Sequence, residues 1–200
     1  VPAGKSTPEV SWATPASITF GAALGSSQLN ATAAVPGTFA YTPASGTKPN
    51  AGTAVLSVTF TPTDAESYQS VTRTVSLTVD KAPLTVRADD KSKVYGAALP
   101  TLTATLSGLL NGDTEASLDT PVSFTTTAAA SSNAGTYAIT PGGASDANYT
   151  ISFQTGTLTV TKAALTIRAE DKSKVYGAAL PTLTVTYSGL VNQDTTASLD

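Results

Sequence analysis

The 200-residue sequence contains no cysteine, no histidine and no methionine, and only one tryptophan. Without Cys or His there is no disulfide, no thiolate or imidazole metal site, no cysteine nucleophile and no triad whose base is an imidazole. Without His no side chain has an ordinary pKa between about 5 and 8, and without Met or Cys little can be oxidised. The chain is therefore expected to be indifferent to redox state and to mild pH change. That inertness suits an extracellular bacterial protein, although missing cysteine does not by itself separate outside from cytosol. Charge is also sparse: 11 Lys and Arg against 14 Asp and Glu leave a formal charge of -3. Such a surface has no basic field with which to displace counterions from a polyphosphate, so neither nucleic acid nor an anionic membrane is an expected partner. No apolar run reaches the roughly 18 residues of a membrane span, and no signal-peptide pattern is present. With Val1 as its first residue, the chain reads as an internal piece of a longer protein.

What is abundant is small: 36 Thr, 32 Ala and 21 Ser. The chain also repeats itself, which decides its organisation. KAPLTVRADDKSKVYGAALP from Lys81 returns as KAALTIRAEDKSKVYGAALP from Lys162, a period of 81 residues. The match runs on to Asp119 and Asp200, with Gly112 replaced by Gln193. A more distant copy precedes it: Phe20-Gly21-Ala22-Ala23-Leu24 answers Tyr95-Gly96-Ala97-Ala98-Leu99, Asn50-Ala51-Gly52-Thr53 answers Asn133-Ala134-Gly135-Thr136, and Tyr68 answers Tyr149. Residues 1–6 read as linker, 7–81 and 82–162 as units, and 163–200 as the first half of a third. The junctions at Asp80-Lys81-Ala82 and Thr161-Lys162-Ala163 are short and lack Gly, which implies a semi-rigid rod.

Within a unit the apolar period is 2. Leu56, Val58 and Phe60 alternate with Ser57, Thr59 and Thr61; Val75, Leu77 and Val79 with Ser76 and Thr78; Leu102, Ala104 and Leu106 with Thr103 and Thr105; and Tyr149, Ile151 and Phe153 with Thr150 and Ser152. Leu158 and Val160 close the second unit. These are half-buried antiparallel strands, separated by turn signals such as Pro36-Gly37, Ser45-Gly46, Asn111-Gly112-Asp113 and Pro141-Gly142-Gly143. The expected fold is all-β: tandem small antiparallel β-sandwich (Ig-like) domains arranged as an elongated rod, the third incomplete.

Leu84-Thr85-Val86-Arg87-Ala88, Asp90 to Gly96, Ser107-Gly108-Leu109-Leu110-Asn111-Gly112-Asp113, Gly135-Thr136-Tyr137, Asn148-Tyr149 and the closing Gly156 to Lys162 together resemble the MBG domain of the YGX type. The resemblance covers unit two and the first half of unit three, where Tyr176-Gly177 and Ser188-Gly189-Leu190 repeat the motifs. Unit one, with Val10-Ser11-Trp12, Phe20-Gly21 and the stretch from Phe60-Thr61-Pro62 to Tyr68, looks like a related bacterial Ig-like repeat in which Phe20 replaces the family's tyrosine. The resemblance implies a spacer or adhesive module of a secreted or cell-wall-associated protein and brings no catalytic residues.

Several residues invite chemistry. Arg87, Asp89, Asp90, Lys91 and Lys93, recurring as Arg168, Glu170, Asp171, Lys172 and Lys174, offer paired carboxylates to a hard cation. Strand neighbours face opposite ways, however, and two Lys oppose a cation, so a solvated charged edge that discourages strand pairing is the expected role. Tyr68 and Tyr149 follow acidic turns (Asp64-Ala65-Glu66-Ser67 and Asp146-Ala147-Asn148); a hydroxyl tied to neighbouring backbone with the ring inside is expected of both, and a ligand contact is the competing reading. Gly21, Gly96 and Gly177 suit a turn or close packing and lack phosphate-loop spacing. Asn30-Ala31-Thr32 and Asn148-Tyr149-Thr150 match the glycosylation pattern, incidental in a bacterial protein. Lys81 and Lys162 start strands, where Ig-like surface domains sometimes join Lys to Asn; no acid of fixed placement supports that here.

No enzyme, metal or cofactor is expected, and no ligand-binding residue is assigned. The expected function is a structural spacer or stalk of a large bacterial extracellular or cell-surface protein, its partners being neighbouring repeats of the same long chain. The alternative is an adhesive module that binds a glycan, a surface protein or another copy through loops, for which exposed aromatics at one loop end would speak; Trp12 is the only indole. The third unit lacks counterparts of 120–161, so Leu165, Ile167, Leu183, Val185 and Tyr187 need cover from elsewhere.

Overall fold

Strands rich in Val, Ile and Thr with one apolar face require partners and a neighbouring layer. In the computed structural model, which describes residues 4–199, the chain is all-β; among the described residues the only helical segments are single 3-10 turns at Glu115–Ser117 and Thr196–Ser198. Its contacts gather into two compact units. One holds the chain up to Thr85 with Leu106–Pro121 and Gly143–Ser152; the other holds Val86–Thr105, Val122–Gly142 and the chain from Phe153 onward.

The first repeat contributes β1 (Val10–Ser11), β2 (Ile18–Thr19), β3 (Thr32–Ala33), β4 (Gly37–Thr42), β5 (Gly52–Pro62) and β6 (Val71–Asp80). The order β2-β6-β5-β4 forms a four-stranded sheet, while β1 and β3 pair separately. β5 runs antiparallel to β6 from Gly52 opposite Val79 to Phe60 opposite Val71, and β2 joins parallel with Ile18 opposite Val79. The alternation has its expected result: Leu56, Val58, Phe60, Leu77 and Val79 are buried, each stabilising the fold by roughly 1.5–3 kcal/mol relative to exposure.

The second repeat contributes β7 (Ala82–Ala88), β8 (Lys91–Val94), β9 (Ala104–Ser107), β10 (Ser123–Thr125), β11 (Gly135–Gly142), β12 (Tyr149–Gln154) and β13 (Gly156–Thr161). They form sheets of order β12-β7-β9 and β10-β11-β13-β8. Ala82, Leu84, Val86 and Ala88 bury one face of β7, and Leu158 and Val160 one face of β13. Ala88, Ala128, Ile139 and Leu158 form a cluster against which Leu102, Phe124 and Tyr137 pack. Phe153, expected to face inward, is exposed: β12 is the outer strand of its sheet, and its distal end has no cover.

The third repeat adds β14 (Thr166–Ala169) and β15 (Val185–Ser188), an antiparallel pair with Ile167 opposite Tyr187. Asp171 to Thr184 is identical to Asp90 to Thr103, yet Lys91–Val94 is a strand and Lys172–Val175 is not. The difference is the partner. β8 owes its ladder to β13, with Leu158 opposite Lys91 and Thr161 opposite Val94, and the third repeat has no such strand among the described residues. Identical sequence with and without a hydrogen-bonding neighbour gives different backbones, as expected where tertiary context outweighs propensity.

Candidate functional site

The feature that recurs with the period is the aromatic-glycine step. Backbone bonds from Phe20 N to Asp80 O and from Tyr95 N to Thr161 O, both 2.8 Å, fix each aromatic to the end of its repeat's last strand. A tight turn follows, closed by Ala22 N to Thr19 O and Ala97 N to Val94 O, both 3.0 Å, and by Ala178 N to Val175 O at 3.1 Å. Its third residue has φ of +93° at Gly21, +83° at Gly96 and +82° at Gly177, a region L side chains avoid.

Close approach is the second reason for glycine. A Cβ on Gly21 would lie 2.8 Å from Leu110 Cδ1, and one on Gly96 would lie 2.8 Å from Val191 Cβ. Leu110 and Val191 are counterparts 81 residues apart, so the step of one repeat meets the same loop of the next repeat in both cases. Gly177 would meet nothing within 4 Å, and Tyr176 beside it is fully exposed.

The receiving loop is a tight turn. Asp113 N donates to Leu110 O at 2.9 Å, while Asn111 and Gly112 have φ of +57° and +88°, the signature of a type I′ turn. In the third repeat Asn192 and Gln193 adopt +57° and +65°, so the glutamine occupies a glycine conformation. Tyr149 locks the loop from beneath. It is 3% exposed; its hydroxyl accepts from Leu110 N at 2.8 Å and donates to Asp113 Oδ2 at 2.7 Å. Its ring meets Phe20 edge-on at 5.4 Å between centroids, a geometry aromatic pairs favour. Burial first, and the Asp113 carboxylate second, raise its pKa above 10.0. The turn before Tyr149 completes the joint: Ala51 N donates to Asn148 Oδ1 at 2.9 Å, Ala82 N to Asn148 O at 2.9 Å, and Lys81 Nζ to Asp146 O at 3.0 Å.

Arg87, Asp89, Asp90 and Lys93 of the charged cluster make internal bonds. Asp89 Oδ1 accepts from Thr105 Oγ1 at 2.8 Å, with Thr103 Oγ1 on Oδ2; Asp90 Oδ1 accepts from Thr157 N at 2.7 Å and Oδ2 pairs with Arg87 Nη2 at 3.3 Å. The threonines hold Asp89 below the ordinary carboxyl value, and Thr157 N followed by Arg87 does so for Asp90. β8 is an outer strand, as a charged edge should be, but it is paired on its inner side and Lys93 is not solvated. Lys93 is 7% exposed, and its Nζ donates to Ala97 O and Ala130 O, both at 2.9 Å. An ammonium capping two carbonyls was not legible from the residue type. In the third repeat Glu170 pairs with Lys172 Nζ at 2.8 Å and accepts from Thr184, and Lys174 Nζ donates to Ala178 O at 3.0 Å, its one bond among the described residues. No group of three metal-ligating side chains occurs among the described residues.

Tyr149 makes the backbone tie the sequence suggests; the Tyr68 hydroxyl makes none among the described residues. Tyr68 is half-buried, held through its own backbone (N to Asp64 O, 3.1 Å), and in the first repeat it is Tyr41 whose hydroxyl accepts from Ala31 N at 2.9 Å. Trp12 packs edge-on against Tyr41 at 5.4 Å and donates to Gln28 O at 3.0 Å. The Asn148 amide is engaged by Ala51 rather than by Lys81, and Asn30 donates to Ser27 O at 3.2 Å. Leu110 and Asp113 were missed as joint residues; their signal was the turn they bracket, Asn111-Gly112, which returns 81 residues later as Asn192-Gln193 between Val191 and Asp194.

The fold and the repeated step define a class: an all-β tandem-repeat chain in which a turn of one repeat packs on a loop of the next. The MBG domain (YGX type) family matches residues 84–159 and 165–200, more than half of the sequence, and the chain belongs to that family. Its tyrosine-glycine step falls at Tyr95-Gly96 and Tyr176-Gly177. Comparisons with curated proteins and with solved structures gave no match.

Proposed function

We propose that the chain is a non-catalytic spacer, a run of modules within a long bacterial extracellular or cell-surface protein. The observation that carries this reading is the joint used twice, Gly21 against Leu110 and Gly96 against Val191. Residues that recur with the period serve to set one repeat on the next, the arrangement a solenoid-like array requires. Of the acidic and basic side chains that could do chemistry, Asp89, Asp90, Lys93 and Glu170 are engaged by backbone, threonine or ion-pair partners. The aromatics that are exposed, Phe153, Tyr176 and Tyr187, lie on three separate elements and not on one loop end, and Trp12 is occupied by Tyr41 and Gln28; this favours a spacer over an adhesive module. The extracellular and bacterial parts of the proposal rest on the family resemblance. Small-angle scattering of the 200-residue chain tests it. An elongated particle is expected, with a radius of gyration well above the roughly 16 Å of a compact 200-residue domain. A compact profile, or saturable binding to a glycan array, overturns the spacer reading.

A further inference from the structure

We infer that the cavity beside Tyr95 in the second compact unit is a socket for an Asn-Tyr β-strand, of the kind the chain carries at Asn148-Tyr149. The cavity measures about 570 Å³, and Tyr95, Ala134, Lys162, Ala163, Val191 and Asp194 line it. Each is the repeat counterpart of a residue that holds Tyr149 or its turn in the first joint. Tyr95 answers Phe20, whose ring meets Tyr149. Asp194 answers Asp113, which accepts the tyrosine hydroxyl, and Val191 answers Leu110, whose N–H donates to it. Ala134 answers Ala51 on Asn148 Oδ1, Ala163 answers Ala82 on Asn148 O, and Lys162 answers Lys81 on Asp146 O. The occupied joint thus supplies an internal standard for the cavity: the same donors, acceptor and aromatic face, without the strand.

A second observation points to the same occupant. β7 has β12 on one edge and β9 on the other, whereas among the described residues β14 pairs with β15 alone. Leu84 and Val86 are 0% exposed; their counterparts Leu165 and Ile167 are 36% and 55% exposed. An incoming strand placed as β12 is placed would pair the free edge of β14 by β-augmentation, cover these side chains and deliver its tyrosine between Tyr95 and Asp194. A glycan or small molecule would use the aromatic face but would leave the β14 edge unpaired.

The inference stands on the two joints and not on the spacer reading, so a compact scattering profile would leave it untouched. Its test is the intact 200-residue chain extended at the C-terminus by a flexible Gly-Ser linker and a second copy of residues 143–162, which raises the local concentration of the strand. Hydrogen exchange at Thr166–Ala169 is read with the tyrosine present and with Tyr149→Ala made in the appended copy only. Slower exchange is expected with tyrosine, and protection about tenfold weaker with alanine, because a buried hydroxyl bonded to a carboxylate and a ring contact are lost together. Val191→Asp in the receiving loop should remove the protection while leaving exchange in β5 and β6 unchanged. Protection that ignores both changes, or no protection from the tyrosine-bearing copy, overturns the socket.

Discussion

Gly21 and Leu110 lie so close that one added methyl would come within 2.8 Å of the leucine side chain, and Gly96 stands in the same relation to Val191. Glycine at this step is demanded twice, by a positive φ and by the next repeat's loop. The three copies separate the two demands. Gly177→Ala should cost only the conformational part, about 1 kcal/mol. Gly21→Ala should cost somewhat more, since the Leu110 Cδ1 it meets can rotate away. Gly96→Ala should cost most, up to about 3 kcal/mol, because Val191 is struck at Cβ. Denaturant titration of the three variants, with hydrogen exchange to localise each loss, checks the order.

Lys93 and Lys174 form a second matched pair of identical local sequence. Lys93→Met should destabilise by about 1–3 kcal/mol, since two hydrogen bonds from a buried ammonium to the Ala97 and Ala130 carbonyls are lost. Lys174→Met should stay within roughly 0.5 kcal/mol, as exposed substitutions do. Equal effects in thermal unfolding would mean that the Ala130 contact contributes nothing.

Gln193 occupies a left-handed conformation that Gly112 occupies without strain. Gln193→Gly should slow exchange of the Asp194 amide, which closes the turn on Val191 O, by roughly fivefold, and Gly112→Gln should lower stability by about 1 kcal/mol.

The pH dependence follows from groups at the two extremes. Asp64, Asp89 and Asp90 lie below their ordinary 3.8 and Glu170 below 4.5, held there chiefly by Ser67, Thr103, Thr157 N and Lys172 respectively. Their contribution is present above the unfolded values and is lost as pH falls through the folded ones. Tyr149 is raised above 10.0, so its contribution is complete below pH 10 and is lost above it. With no histidine in the sequence, melting temperature should be flat from roughly pH 5 to 9 and fall on both sides. Asp89→Asn should make the acid limb shallower, and Tyr149→Phe should move the alkaline limb upward.

Much of this was legible in the sequence, because period-2 burial and near-identical repeats are local signals. Leu56, Val58, Phe60, Leu158 and Val160 point inward as their spacing dictates, and Tyr149 is tied to backbone as its place after an acidic turn suggests. What was not legible is set by partners distant in sequence. Lys91–Val94 becomes a strand only beside β13, Lys93 turns inward only because two carbonyls await it, and Tyr68 is held through its backbone N–H on Asp64 O. The joint itself was half visible: the glycines marked close packing, but nothing local names Leu110 as what they pack against.

The central claim is that the aromatic-glycine step couples one repeat to the next, and a double-mutant cycle on Phe20 and Tyr149 tests it most directly. Phe20→Leu, Tyr149→Leu and the double variant, each unfolded in denaturant as the full chain, should give a coupling energy of about 0.5–1.5 kcal/mol, the value of an edge-on aromatic pair beyond its buried area. Additive losses, with coupling indistinguishable from zero, would show that the two repeats are neighbours without being joined, and would contradict the account.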